Sequence, residues 1–442
     1  MFSISTVFGQ FMSRFLTGLL SIGMALSSLF GGVGTTKAEP TPADFKPVLR
    51  FVACSDVHLN GESDQPVVQR LGDLFDDAYA YAAAFDGYHG LDAVMLIGDV
   101  ANTGDDSEYL MFDSVVESHI RPETQLLTVL GNHEFIKYRD EDPAVGYEKY
   151  RQYVNQEVDT HVVINGFHFI GVSYNEDGRK FTEKTRWLRE QLDAAVKDAP
   201  DLPVFVYQHP HPFATVYGSV NWSDFDVKQV LKDYPQVVDF SGHSHYASSD
   251  PRSVWQGTFT AVGTGSLSAY MGNLNYIDGD KDAPGESGGF WIVEADARGN
   301  VRLQLYDVVN HAFFENSEYY LADPTDKKKR AYTWSRQKAQ DTAPEFPENA
   351  EITARVNENG ETVLFFPDAV GYYEAENYKI AVSAGLKTVW SDTVISDYVR
   401  AGLTGVSVNI GKLDAGEYQV KITAYSPYAK QGGTLRGEIA VG

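Results

Sequence analysis

This sequence predicts an α/β domain followed by a smaller all-β sandwich, on three observations. From residue 49 to about residue 265, short β-rich runs alternate with stretches of helical periodicity. Five of these runs end on short polar phrases rich in aspartate, asparagine and histidine, where an open α/β sheet gathers its chemistry. From about residue 350 onward the helical pattern disappears, and apolar and polar residues alternate between turn signals.

In the first region strands are expected at Leu49–Cys54, Ala93–Ile97, Leu126–Leu130, His168–Ser173, Val204–Tyr207 and Val237–Phe240. Between them lie helical stretches such as 183–197, where Leu188, Leu192 and Ala195 share one face. Two runs at 289–293 and 301–308, joined through Gly299-Asn300, predict a hairpin that completes the sheet. Residues 323–349, charged and proline-containing, are expected to form a linker or surface excursion, with Lys327–Arg330 as a solvated basic patch. In the sandwich, strands are expected at 352–356, 362–366, 378–382, 406–410 and 418–425. The expected division is therefore a leader at 1–38, the α/β domain at 45–322, the linker at 323–349 and the sandwich at 350–442.

The leader is inferred from Arg14, an apolar run over 15–29 and the small-residue site ending at Ala38, a pattern of secretion with cleavage after Ala38. An uncleaved membrane anchor is the alternative, and no later segment is apolar enough to span a bilayer. The single cysteine, Cys54, allows no internal disulfide, so an exported chain of this kind fits a bacterial route. With 61 acidic against 36 basic side chains, the net charge is −25. A field of that sign repels polyanions, which excludes long nucleic acids and anionic membrane surfaces as expected partners.

The polar phrases carry the chemistry. They are Asp56-Val57-His58, Gly98-Asp99, Gly131-Asn132-His133-Glu134, Gln208-His209-Pro210 and Gly242-His243-Ser244-His245. Carboxylate, imidazole and amide suit borderline-hard divalent ions such as Mn²⁺, Fe²⁺ or Zn²⁺, and Asp56, His58, Asp99, Asn132, His209, His243 and His245 suffice for two of them. A metal pair about 3.5–4 Å apart is a clamp for in-line displacement at phosphorus, so a small phosphoester is the expected substrate.

In this order and spacing the five phrases, within residues 51 to 262, resemble the calcineurin-like metallophosphoesterase family. The resemblance implies two packed sheets flanked by helices. It puts Asp56, His58 and His245 on one metal and Asn132, His209 and His243 on the other, with Asp99 bridging. A water between the metals would lose its proton near neutral pH and attack phosphorus. The resemblance also gives His133 to the leaving group. Glu134 is expected either to orient His133 or to cap a following helix. His211 is expected either to contact substrate or to stiffen a surface loop between Pro210 and Pro212. Asn102 stands where the purple acid phosphatase branch carries a tyrosine, which argues against a ferric phenolate centre. The wording around His209 and His243 resembles the branch holding class III cyclic-nucleotide phosphodiesterases, so diesters are preferred to monoesters.

The stretch Leu413-Asp414-Ala415-Gly416-Glu417-Tyr418 resembles a late-strand signature of fibronectin type III domains, with Tyr418 near a corner position. Such a sandwich could contact a surface glycan or protein, and a binding protein with a vestigial metal domain is the competing hypothesis. Tyr217, Trp222 and Tyr270 are candidates to wall a substrate pocket. His89, His119, His161, His168 and His311 have no partners at ligand spacing and are expected to be structural, as is Cys54.

Overall fold

The computed structural model describes residues 40–442 apart from 86, 274–279, 283–285 and 404; the leader lies outside the described residues. Among the described residues no helix is long and apolar enough to cross a membrane.

The α/β region runs β1 (Pro47–Cys54), α1 (Pro66–Ala83), β2 (Ala93–Ile97), α2 (Asp106–His119), β3 (Gln125–Val129), α3 (Ala144–Val154), β4 (Thr160–Ile164), β5 (Phe167–Gly171) and α4 (Thr185–Asp198). It continues through β6 (Val204–Tyr207), α5 (Phe225–Leu231), β7 (Val237–Ser241), β8 (Val254–Gln256), β9 (Thr260–Gly263), β10 (Gly289–Asp296), β11 (Val301–Asp307) and β12 (Ala312–Leu321). One six-stranded sheet has the order β12-β11-β10-β1-β2-β3 and the other β8-β9-β7-β6-β5-β4. Strands β1, β2 and β3 run parallel, as do β5, β6, β7 and β9. The antiparallel partners β10, β11 and β12 extend the first sheet, and β10 and β11 are the expected hairpin.

The two sheets pack face to face. Strand β1 shows why: it is apolar on both sides, as a central strand covered on both faces must be. Leu49, Phe51 and Ala53 enter the core between the sheets, where the Phe51 ring lies 5.1, 4.9 and 5.7 Å from those of Phe169, Phe205 and Phe240. Val52 and Cys54 point the other way, into the core that α1 and α2 cover. Arg50 is the polar exception on that side. It is fully buried, donating to Glu294 at 2.8 Å and to the carbonyls of Tyr88 and Gly90.

Residues 323–347 do not leave the surface as an excursion. They hold α6 (Trp334–Gln340), and they dock on β8. Gln256 Oε1 accepts the backbone N–H groups of Ala331 and Tyr332, and Gln337 donates to the carbonyls of Pro251 and Val254. Arg330 is buried against the carbonyls of Gly257 and Pro235, so the expected solvated basic run loses its last member. Backbone acceptors have no residue signature, which is why the docking was not readable.

The C-terminal region holds β13 (Thr353–Val356), β14 (Thr362–Phe366), β15 (Asn377–Ala384), β16 (Lys387–Ile395), β17 (Val406–Asn409), β18 (Gly416–Tyr425) and β19 (Gln431–Val441). An antiparallel three-stranded sheet, β13-β14-β17, packs on a four-stranded one, β16-β15-β18-β19. Leu364, Phe366, Tyr378, Ile380, Ile422 and Ala424 fill the space between them. The Tyr418 hydroxyl donates to the Asp414 carbonyl at 2.8 Å, closing the turn into β18.

Candidate metal centre

Five strand ends deliver the site. Asp56 and His58 follow β1, Asp99 follows β2, and Asn132, His133 and Glu134 follow β3; His209 follows β6, and His243 and His245 follow β7. Five of these residues take the left-handed backbone region, with φ of 55° at Asp56, 54° at His58, 51° at Asp99, 72° at His243 and 55° at His245. Non-glycine residues occupy that region at a cost of about 1–3 kcal/mol each, and it persists only where surrounding structure enforces it. Here backbone bonds do so. Asp56 N donates to Gly98 O, His58 N to Asp99 O, Gly242 N to His209 O and Met271 N to His245 O. The glycines allow close approach: a Cβ on Gly131 would lie 2.1 Å from Asp99 Oδ1, and one on Gly242 would lie 2.4 Å from Asp56 Oδ2.

The side chains converge in two main groups, with a third, His58, Asp99 and His133, overlapping both. In one, His245 Nε2 lies 3.1 Å from Asp56 Oδ1 and 3.0 Å from His58 Nε2. In the other, Asp99, His209 and His243 come together, with His209 Nε2 at 3.0 Å from Asp99 Oδ2 and the His209 and His243 rings 4.9 Å apart. Asp99 Oδ2 is also 3.8 Å from His58 Nε2, so it faces both groups. Asp56, Asp99 and His209 form a buried floor, while His58, Asn132, His133, His243 and His245 are partly exposed at the rim.

Asp56 Oδ1 and His209 Nε2 meet only other ligand atoms, His245 Nε2 at 3.1 Å and Asp99 Oδ2 at 3.0 Å, and Asn132 Oδ1 is buried without a hydrogen-bond partner. Buried polar atoms are nearly always satisfied, so Asn132 Oδ1 points to a cation as its missing partner. Electrostatics agree. Burial opposes a charge on His209, yet the Asp99 and Asp56 carboxylates outweigh it and push the imidazole up to about 10. Burial would raise Asp99, but His209 and His58 hold it well below the usual carboxylate range. The pocket therefore carries an excess of negative charge that protons must balance when no metal does. His209 Nδ1–H donates to Ile97 O at 2.8 Å, which leaves Nε2 as the nitrogen that would give up its proton to hold an ion.

His133 stands beside this group, its ring 4.5 Å from that of His58. Its Nδ1–H donates to Asn102 O at 2.7 Å and its backbone N–H to Asp99 Oδ1 at 2.8 Å. Burial lowers its pKa, favouring the neutral ring. Glu134 supports the metal-site loops from behind instead of orienting His133. Its fully buried carboxylate accepts the backbone N–H groups of Asp99, Ala101 and Gly131, strapping two metal-site loops together. His211 lies in a supporting layer behind the ligands rather than in a surface loop. It is 1 % exposed, with Nδ1 3.0 Å from Ser241 Oγ and Nε2 2.8 Å from Ser244 Oγ, and burial pushes its pKa down to about 3. It props the turn between His243 and His245.

Of the pocket-wall candidates, Tyr270 is buried, and Tyr217 gives its hydroxyl to Glu376 and its ring to Tyr246. Trp222 is partly exposed beside the site, its ring 5.2 Å from that of His243. No sequence signal marks Ser55, whose Oγ donates to Asp56 Oδ2 at 2.5 Å; a serine flanking an aspartate is too common to stand out. Elsewhere His161 and His168 bond each other at 2.8 Å, and His119 and His311 pair with Asp76 and Asp77.

Fold and site together define a metallophosphoesterase-type domain. Residues 49–247 match the calcineurin-like phosphoesterase family, so the chain carries a phosphoester-hydrolase domain of that family over this span. No curated protein matches the sequence. Among solved structures, the chain is similar to the purple acid phosphatase PPD1 from yellow lupin (Lupinus luteus) seeds, with 15% identity and a TM-score of 0.45, covering 62% of this chain and 53% of that one. It thus spans about half the length of the lupin enzyme. It is also similar to an endo-beta-1,4-mannanase from Thermotoga petrophila, with 10% identity and a TM-score of 0.24 over 89% of this chain and 98% of that one.

Proposed function

We propose that the protein is a dinuclear metal-dependent phosphodiesterase. The observation that carries this reading is the gathering of Asp56, His58, Asp99, His209, His243 and His245 at ligand distance from one another, together with the buried, unpartnered Asn132 Oδ1. Asp56, His58 and His245 would hold one ion, Asn132, His209 and His243 the other, and Asp99 would be shared. Two divalent ions there supply Lewis acidity and bring the pKa of a bound water toward neutrality. His133 completes the arrangement: with Nδ1–H engaged by Asn102 O, its Nε2 is the nitrogen that would take up a proton from water and pass it on to the leaving oxygen. Carboxylate, imidazole and amide donors accept Mn²⁺, Fe²⁺ or Zn²⁺ alike.

Preference for diesters is supported by the likeness of Gln208-His209-Pro210 and Gly242-His243-Ser244-His245 to the class III phosphodiesterase branch. The C-terminal domain we take to be fibronectin type III-like, supported by its three-on-four sheets and the Tyr418–Asp414 bond. Export rests on the pattern of residues 1–38 alone.

The test compares hydrolysis of a bis(aryl) phosphodiester and the matching aryl monoester by the Mn²⁺-loaded chain, with Asp99→Ala as control. Faster diester turnover, lost in Asp99→Ala, is expected. Faster monoester turnover would replace the diester reading with a phosphatase. No turnover of either with metal bound would favour the binding-protein hypothesis.

A further inference from the structure

The turn carrying His243 and His245 does not rest on its own strand alone. Behind it the Tyr246 ring packs on Tyr217, centroids 4.6 Å apart. Gly218, at φ +87°, brings that loop so close that a Cβ there would lie 2.7 Å from the Tyr246 ring and 2.8 Å from Ser244 Cβ. The Tyr217 hydroxyl in turn donates to Glu376 Oε1 at 3.0 Å. Glu376 immediately precedes β15 in the C-terminal domain, where its backbone N–H donates to Tyr425 O.

Glu376 is itself locked in place. Arg252, 3.8 Å from the centre of the Tyr217 ring, is ion-paired with both Glu376 and Asp250, and the three side chains are 13, 1 and 0% exposed. The Tyr398 hydroxyl of the C-terminal domain reaches Asp250 Oδ2 at 3.4 Å. Ile395 of that domain approaches Gly272, next to Met271, whose N–H donates to His245 O at 2.7 Å. The C-terminal domain therefore touches the His245 turn by two routes, one through Tyr217 and Tyr246 and one through the 271–272 segment. Packed side chains joined by hydrogen bonds to a desolvated ion cluster form a contiguous physical path of the kind that transmits position.

We propose that Glu376 is a positioning residue of the metal centre: through Tyr217 and Tyr246 it sets the turn of His243 and His245, making the C-terminal domain part of the catalytic unit. This rests on the metal-centre reading above.

The test titrates Mn²⁺ by calorimetry into the full chain and into Tyr217→Phe, Glu376→Ala and Glu376→Gln, with turnover and thermal unfolding measured beside it. Tyr217→Phe keeps the ring and the ion cluster and loses only the hydroxyl. Its affinity for at least one ion is expected to fall about 10-fold or more, the range for losing a group that orients a ligand. Its kcat should fall while KM and the melting temperature stay close to wild type. Glu376→Ala should lose more, and Glu376→Gln, which keeps an acceptor for Tyr217, should recover most of the affinity. Wild-type Mn²⁺ affinity and kcat in Tyr217→Phe would overturn the inference, even if Glu376→Ala fails to fold. A wild-type chain that binds no Mn²⁺ would instead overturn the metal-centre reading, and the inference with it.

Discussion

The two sheets each supply half of the site, and the halves are held differently. Asp56, His58, Asp99 and Asn132, from the first sheet, are fixed by backbone bonds between neighbouring strand ends and by one buried carboxylate, Glu134. His209, His243 and His245, from the second, add side-chain props to their backbone bonds: His211 through Ser241 and Ser244, then Tyr246, Tyr217 and finally Glu376 from beyond residue 350. The first half takes most of its supports from neighbouring strand ends, although Asp56 also accepts the His243 N–H on Oδ2 at 2.9 Å and the Ser266 hydroxyl on its carbonyl at 3.0 Å. The second, on the inference above, takes further support from the C-terminal domain.

That contrast can be broken or sharpened by substitution. The largest effect is expected from His209→Ala, which removes a ligand from the floor; turnover should drop to background while circular dichroism and the melting curve stay near wild type. Retained turnover would refute the site. Glu134→Ala comes next. It leaves the N–H groups of Asp99, Ala101 and Gly131 without their acceptor, each costing about 1–3 kcal/mol when buried and unpaired. Urea unfolding should show several kcal/mol lost, together with weaker metal binding. His211→Ala should cost less stability, about 2 kcal/mol, because two serine hydroxyls can turn to new partners. Its loss should instead appear as about 10–100-fold weaker metal affinity. Equal stability losses in the two variants would contradict the difference between the halves.

The smallest effect is on pH dependence. Burial pushes Glu376 up to about 7 against the pull of Arg252, with Asp250 opposing that pull and the Tyr217 hydroxyl favouring the charged form. The unfolded side chain, near 4.5, releases its proton first as pH rises. The folded state holds the proton longer, so stability contributed by this group is full below about pH 4.5 and declines as pH rises toward 7. Glu376→Gln should flatten that decline, measured as the difference in melting temperature between pH 5 and pH 7. An unchanged difference would place Glu376's charge elsewhere in the balance.

Much of the first domain was legible because its chemistry restricts residue type. Only a few side chains serve as metal ligands, so strand ends such as Val57-His58 and Gly98-Asp99 announced themselves, and strands β2 and β6 fell on short continuous apolar runs. What was missed shares a physical cause. Glu134 and Gln256 bind backbone N–H groups, and those partners carry no residue identity. His211 was judged by its flanking prolines, although its environment comes from Ser241 and Ser244, some thirty residues on. Strand β16 is mostly exposed and β19 is broken by Gly432, Gly433 and Gly437, so neither showed the apolar alternation that marked β14 and β18. The left-handed backbone at five ligand positions left no sequence trace, since aspartate and histidine are common in other conformations.

The most direct test of the account is the metal content of the full chain after equilibrium dialysis against Mn²⁺, in the wild type and in Asp99→Ala. Because Asp99 faces both groups of ligands, the account predicts close to two ions per wild-type chain and less than one in the variant. No retained Mn²⁺ in the wild type, or the same content in both, would contradict a shared dinuclear centre.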